Sequence, residues 1–387
     1  MGTRLKVGIA GAGVLGRLLA WQLGRAGHAV TVFDPGPGPQ APETGSLTGR
    51  PVHAAGFTAA GMLSPIAELD NAGPALARLG WRSLALWRSI AEQLRGQGCS
   101  APLFAQHGSL LLAHGADLGA ARRVLARLEA ATALASELPA PQVLDRASLG
   151  ALEPAVTPGL HAWLLPDEAQ VMSRDMLQAL AVHAPNVHWC WGERVDHVDP
   201  GRITLVDGDA LAFDLAIDVR GVGARPDRPL RGAPSGCPPR VRGVRGEVLW
   251  LHAPGVQLRR PLRLLHPRHR VYIVPRPGDL FIVGASEIES EDRSPVSLRS
   301  AVELMAAAHS ALPGLAEARI VHMETNLRPA LPDNEPHTHI EHGLLRINGL
   351  FRHGWLLAPA LTEDAIAELT LAPLRGLSQP MADTHPC

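Results

Sequence analysis

Several features are scarce in this 387-residue chain, and each scarcity closes off a class of function. It has four cysteines, Cys99, Cys190, Cys237 and Cys387, with no CxxC pair among them. Neither a structural zinc site nor a disulfide framework is expected from such spacing, no metal is expected, and a reducing, cytoplasmic setting fits best. Charge of one sign is also missing. Lys plus Arg total 36 against 37 Asp plus Glu, a formal net charge of −1 with no polybasic block, so nucleic acid is not an expected partner. No uninterrupted apolar run reaches the ~18 residues of a membrane span. The apolar N-terminal stretch is broken by glycines, by Arg17 and by Asp34, which argues against a signal peptide. No short-period repeat is visible either.

What is present suits a folded globular protein. The composition is 46% hydrophobic and 19% charged, and the length suggests two or three lobes with a cleft between them. The stretch "LKVGIAGAGVLGRLLAWQLGRAGHAVTVFDPG" reads as strand, turn, helix and second strand. Gly11, Gly13 and Gly16 have G-x-G-x-x-G spacing: the first permits a tight turn, the second a close backbone approach to pyrophosphate, the third close packing of the helix. The helix predicted over Val14 to Arg25 offers free N–H groups and a partial positive charge to an anion, and Gly27 is its expected left-handed stop. Asp34 lies 23 positions after Gly11, where a ribose-binding carboxylate is expected. Its acidity disfavours a 2′-phosphate, which sets NADP aside and leaves NAD and FAD open.

Further along, "PGPGPQAPETGSLTGRP" reads as a mobile surface connection. "HAAGFTAAGMLSPIAE" packs small residues together, which serves either tight helix packing or the approach of something large and flat. Helical periodicity follows over about 71–95 and 118–135, with two short strands around Gly108 between them. Ser173 is a candidate N-cap, and "VHWCWGERVDHVDPGRITLVDGDALAFDLAIDV" reads as a strand-rich meander with a hairpin at Asp207-Gly208. Its last strand, ending near Val219, is expected to return to the first sheet. A second strand-rich zone has Pro277-Gly278-Asp279 as a hairpin turn, then a helix over about Leu298 to Ala311. The closing "LLRINGLFRHGWLLAPALTEDAIAEL" repeats the strand, glycine turn and helix of the opening motif.

The motifs "GIAGAGVLGRLLAWQLGRAGHAVTVFD", "TAAGMLSPIAE", "LEPAVTPGL", "VRGVRGE", "YIVPRPGDLFIVGAS", "LRPALPDNEP" and "FRHGWLLAPA" stand in the order that resembles the D-amino acid oxidase superfamily of FAD-dependent amine oxidases. Within it the resemblance is closest to the glycine oxidases of the thiamin pathway, and it covers almost the whole chain. It implies an α/β chain, α+β overall. A Rossmann-like FAD-binding domain of the glutathione-reductase type (1–80, 145–225 and 320–387) is expected, with an interleaved antiparallel-sheet substrate domain (81–144 and 226–319).

The resemblance also implies a cofactor, FAD, and its contacts. Gly11, Gly13, Val14, Leu15 and Gly16 would hold the pyrophosphate, and Asp34 the adenosine ribose. Thr58, Ala59, Ala60, Gly61 and Met62 would lie along the flavin ring, and Val195 would meet the adenine side through its backbone. Gly349, Phe351, Arg352, His353, Gly354, Trp355 and Leu356 would cap the reactive end of the flavin. Arg328 matches the arginine that binds a substrate carboxylate, Tyr272, the sole tyrosine, a pocket tyrosine bonding the same group, and Arg352 a second arginine over the mouth.

The implied reaction is hydride transfer from Cα of glycine or another small amino acid or amine to flavin N5. The product is an imine serving as thiamin thiazole precursor, and oxygen is reduced to hydrogen peroxide. Positioning and cofactor electronics carry such chemistry, so no general base is nominated. Three other readings stand beside it: a D-amino acid or sarcosine-type dehydrogenase with a non-oxygen acceptor, a non-catalytic flavoprotein, and an NAD-dependent dehydrogenase. A homo-oligomer is compatible with the sequence. Asn326, Glu287, "GLFRHG" and "DVRGVGARPD" depart from the usual pattern, and Glu287, if it faces the pocket, could pair with a substrate ammonium.

Overall fold

The computed structural model describes residues 4–40, 53–135, 137–224, 240–266 and 270–375. The connection expected over residues 35–51 falls outside these from residue 41 onward. The chain opens with β1 (Lys6–Ala10), α1 (Val14–Arg25), β2 (Ala29–Asp34), α2 (Ala55–Thr58), β3 (Met62–Leu63), α3 (Pro65–Glu68) and α4 (Pro74–Gly96). It continues through β4 (Phe104–Gln106), β5 (Ser109–Ala113), α5 (Leu118–Leu134), β6 (Gln142–Leu144), α6 (Arg146–Leu152), β7 (His161–Leu165), β8 (Ala169–Val171) and α7 (Ser173–Val182). Then come β9 (Val187–Trp191), β10 (Val195–Asp199), β11 (Arg202–Leu205), β12 (Ala210–Ala212), β13 (Leu215–Asp218) and β14 (Arg242–His252). The last third holds β15 (Leu262–Leu265), β16 (Arg270–Arg276), β17 (Leu280–Gly284), α8 (Leu298–Ala311), β18 (Arg319–Ala330), β19 (His337–Glu341), β20 (Leu344–Asn348) and α9 (Gly354–Arg375).

Two large sheets organise these elements. The first has six strands in the order β19-β20-β13-β1-β2-β9, all neighbours parallel except the β19–β20 pair. At its centre β1 is buried from Val7 to Ala10, as a strand covered on both faces must be. The second has eight strands in the order β18-β14-β17-β16-β15-β5-β7-β6, antiparallel except where β15 meets β5. Strands β7 and β18 lie within stretches expected to serve the nucleotide lobe, yet both hydrogen-bond into this second sheet. For β18 the partner is β14, along an eleven-pair antiparallel ladder.

Most local expectations hold. Helix α1 occupies the expected residues and stops at Gly27, whose φ of 93° is left-handed. Strand β13 does return to the first sheet, beside β1. The meander is narrower than its sequence suggests: β10, β11 and β12 form a small antiparallel sheet, while β9 leaves it to pair with β2. Ser173 is not a cap. Met172 occupies the cap position, and the Ser173 hydroxyl is buried without a partner among the described residues. Among the described residues no helix is long and apolar enough to cross a membrane.

The core beneath the first sheet ties α4 to the start of the C-terminal helix. Trp87 of α4 donates its indole N–H to the Trp355 carbonyl at 2.7 Å, and the two rings lie 5.3 Å apart. That contact fixes the start of α9.

Candidate active site

The glycine turn is built as its spacing requires, with one refinement. Gly11 has φ of 101°, and a Cβ there would strike the Val219 carbonyl and Arg220 Cα at 2.9 Å. A Cβ on Gly16 would sit 1.8 Å from the Gly11 carbonyl, so the third glycine accommodates the turn itself more than the strand. Gly13 differs from both: its Cβ would meet nothing closer than the Ala54 methyl at 3.5 Å. Space is therefore kept at Gly13 for something other than protein. Asp34 accepts the Ala12 N–H at 2.6 Å and the Gly36 N–H at 2.8 Å, which pins the acidic strand end to the turn.

Beside this turn lies a cavity of about 910 Å³. Its walls bring together Thr58 to Met62, Phe351 to His353, Trp355 and Leu356, with Tyr272, Arg328 and Glu68. Residues nearly three hundred positions apart thus face one space. Gly349 has φ of 78°, and a Cβ there would strike the Leu331 side chain at 2.5 Å. Helix α9 starts at Gly354, where a Cβ would come within 4.0 Å of Val14, so the N-termini of α1 and α9 approach each other. Two positive helix ends converging beside a large cavity suit a ligand with a diphosphate and an electron-accepting ring. The buried His353 Nδ1, which has no partner among the described residues, leaves a polar contact for such a ligand.

Arg328 and Tyr272 both stand on the second sheet, in β18 and β16. Gly246 of β14 is needed because its Cβ would lie 2.6 Å from the Arg328 guanidinium carbon, and Gly284 of β17 because its Cβ would lie 2.7 Å from the Tyr272 hydroxyl. Among the described residues Arg328 hydrogen-bonds only to carbonyls, Arg245 O at 3.2 Å and Ser286 O at 3.0 Å. Burial draws its guanidinium below the usual range, opposed by Tyr272 and Glu287 and reinforced by Arg352. Burial likewise raises the Tyr272 phenol, against the pull of Arg328 and its neighbouring arginines. Arg352 differs from Arg328: its Nε lies 3.2 Å from Glu68 and its Nη1 3.6 Å from Glu287. Glu68 also takes Arg263 at 3.1 Å and the His353 ring at 3.0 Å. Burial alone would raise the Glu68 carboxyl, but Arg352, Arg263 and His353 hold it well below the usual carboxylate range.

Sequence reasoning missed the residues that brace this site. Glu324 of β18 is buried and binds His53 at 2.7 Å, Thr58 Oγ1 at 2.5 Å and Arg174 at 2.8 Å, with His322 at 3.4 Å. Burial would raise its carboxyl, yet His322, His53, Arg174 and Thr58 hold it far below the usual range. Two residues on, Asn326 donates to the His53 carbonyl at 3.2 Å and to Thr58 Oγ1 at 3.0 Å. Arg276, from the quoted "YIVPR", bonds the Ala60 carbonyl and Gln170 Oε1. The small-residue segment is thereby clamped from two strands of the second sheet. Val195 is buried at the start of β10, and its carbonyl takes Arg220 Nη1 at 2.8 Å. Arg220 in turn pairs with Asp218 at 2.8 Å, so the added basic charge after β13 is neutralised locally.

A glycine turn with room at Gly13, an acidic strand end at Asp34 and a large cavity lined by arginines suit a nucleotide-dependent oxidoreductase. The chain belongs to the DAO family of FAD dependent oxidoreductases, whose family model matches residues 6–369, and FAD is its cofactor. It is 35% identical over 368 residues to a Rhizobium etli protein named as a thiamine biosynthesis oxidoreductase, ThiO, an alignment spanning 94% of this chain and 96% of that one. Glycine oxidase of Geobacillus kaustophilus is 26% identical over 95% of this chain and 93% of its own. Its crystal structure superposes with a TM-score of 0.78, covering 96% of this chain and 98% of that one. The fold is shared too by iminodiacetate oxidase of Chelativorans sp. BNC1, at 24% identity and a TM-score of 0.74, covering 95% of each chain. The choice between NAD and FAD left by the glycine motif is resolved in favour of FAD.

Proposed function

We propose that the protein oxidises glycine or another small amino acid or amine at Cα, yielding the imine, with oxygen as final acceptor and hydrogen peroxide as second product. Bound FAD supplies the hydride-accepting ring. The observation that carries this reading is the state of Arg328: its guanidinium faces the cavity and meets carbonyls, whereas Arg263 and Arg352 are both engaged by Glu68. A cationic fork without a carboxylate in contact is suited to an incoming one. Tyr272, kept in its neutral phenol form by burial, can donate a hydrogen bond to the same carboxylate.

The remaining residues orient and shield. Thr58 and Ala60 are clamped by Glu324, Asn326 and Arg276, which fixes the wall against which the ring would lie. The α9 N-terminus carries free N–H groups that would stabilise negative charge on a reduced flavin held beside it. Geometry of this kind accelerates reaction by alignment, so no acid/base pair is required. Anaerobic titration of the purified yellow protein with glycine, sarcosine and D-amino acids tests the reading. Bleaching of the oxidised flavin band is expected with at least one of them. A flavin that stays oxidised throughout would refute it.

A further inference from the structure

The cavity separates its charges by depth. Glu68, Arg263 and Arg352 keep 8%, 12% and 19% of their side-chain surface, while Glu287, which lines the same cavity, keeps 50%. Glu287 also has a fixed relation to the carboxylate site. It follows Ser286, whose carbonyl accepts Arg328 Nη2 at 3.0 Å, so anything bound to Arg328 sits one residue from Glu287 along the wall. Its one ion pair among the described residues is with Arg352 at 3.6 Å, with the Arg328 charge also in electrostatic reach, and Arg352 already has a nearer, buried partner in Glu68 at 3.2 Å. No hydrogen bond among the described residues ties the Glu287 carboxylate down. It can therefore turn to another cation without leaving Arg352 uncompensated.

We propose that Glu287 is the specificity-determining residue of this cavity: it receives a second cationic group on the substrate, so that amino acids with a basic side chain are taken in preference to those with a second carboxylate. The proposal rests on reading the cavity as an amino acid oxidase site. A second cation, not the reacting amine, is the occupant because that amine must be neutral when its Cα–H is transferred, and a carboxylate against it would favour the ammonium form. A second carboxylate near Glu287 meets like-charge repulsion, which discriminates as effectively as attraction does.

The test uses FAD-loaded protein and three near-isosteric racemic substrates, 2,4-diaminobutyrate, 2-aminobutyrate and aspartate, with glycine as reference. Equilibrium binding of 4-aminobutyrate, butyrate and glutarate, read from perturbation of the flavin spectrum, gives a measure independent of turnover. The native protein is expected to favour the cationic member of each series over the neutral one by roughly tenfold, and to disfavour the doubly anionic one by a similar factor. Glu287→Gln should level the cationic preference and Glu287→Lys invert it, with flavin content and melting temperature unchanged. Identical rankings in the native protein and Glu287→Gln, with glycine still bleaching the flavin, would overturn the proposal and leave the oxidase reading intact. If no amino acid bleaches the flavin but the inert acids keep the expected ranking, the selectivity of Glu287 stands and the oxidase reading fails.

Discussion

At the residue scale, the site depends on absent side chains as much as present ones. Arg328→Ala removes the cationic fork and should lower substrate affinity by roughly 2–5 kcal/mol while bound flavin is retained, checked by KM and the flavin spectrum together. Unchanged turnover would remove Arg328 from the site. Gly246→Ala places a methyl 2.6 Å from the Arg328 guanidinium carbon, so the guanidinium must shift, and should mimic a weaker Arg328 substitution without removing any charge. A rise in KM of about tenfold, equivalent to about 1.4 kcal/mol, is expected. Arg328 and Tyr272 were recognisable from motifs because their neighbours in sequence are distinctive. Glu68 and Glu324 were not, since their meaning lies in partners such as Arg263, 195 positions away, and His53, 271 positions away.

At the element scale, the two interior-facing glycines of the opening turn are predicted to fail differently. In Gly16→Ala the new methyl would have to occupy the place of the Gly11 carbonyl, so the turn must open and the strand, helix and strand unit should lose stability. In Gly13→Ala the methyl meets only Ala54, so the apoprotein should melt normally but bind FAD more weakly. Melting curves of apo and FAD-loaded forms separate the two. Elements with strong local signals were legible to the residue: α1 and α8 occupy the expected ranges because a glycine stop and a 3.6-residue apolar period are local features. The Ser173 cap failed because tertiary burial took its hydroxyl, and the meander was overestimated because sheet membership of β9 is decided by β2, far upstream in sequence.

At the scale of the whole molecule, the lobes meet over buried charge, and that charge sets a pH dependence. Glu168 accepts the Ile66 and Ala67 N–H groups at 3.0 and 3.1 Å and takes the Ser109 hydroxyl, joining α3 to β5. Burial pushes its carboxyl up to about 7, against the hydrogen bond from Ser109. A carboxyl raised on folding favours the folded state most fully below its unfolded value near 4.5, and that contribution is lost as pH rises through about 7. Glu168→Gln keeps an acceptor for both N–H groups and should flatten the fall in melting temperature between pH 5 and 8. An unchanged slope would show that Glu168 does not govern it.

Strands β1 and β2 come from the first tenth of the chain, whereas β20 and the α9 N-terminus come from residues 344 onward. During synthesis the opening turn therefore waits. Until β20 and α9 are made, β13 has an unpaired edge and the cavity lacks the wall that Phe351 to His353, Trp355 and Leu356 provide. Capture of FAD is therefore expected to act as a completion signal: a prematurely stopped chain would carry the recognisable glycine motif without the late residues that close the cavity.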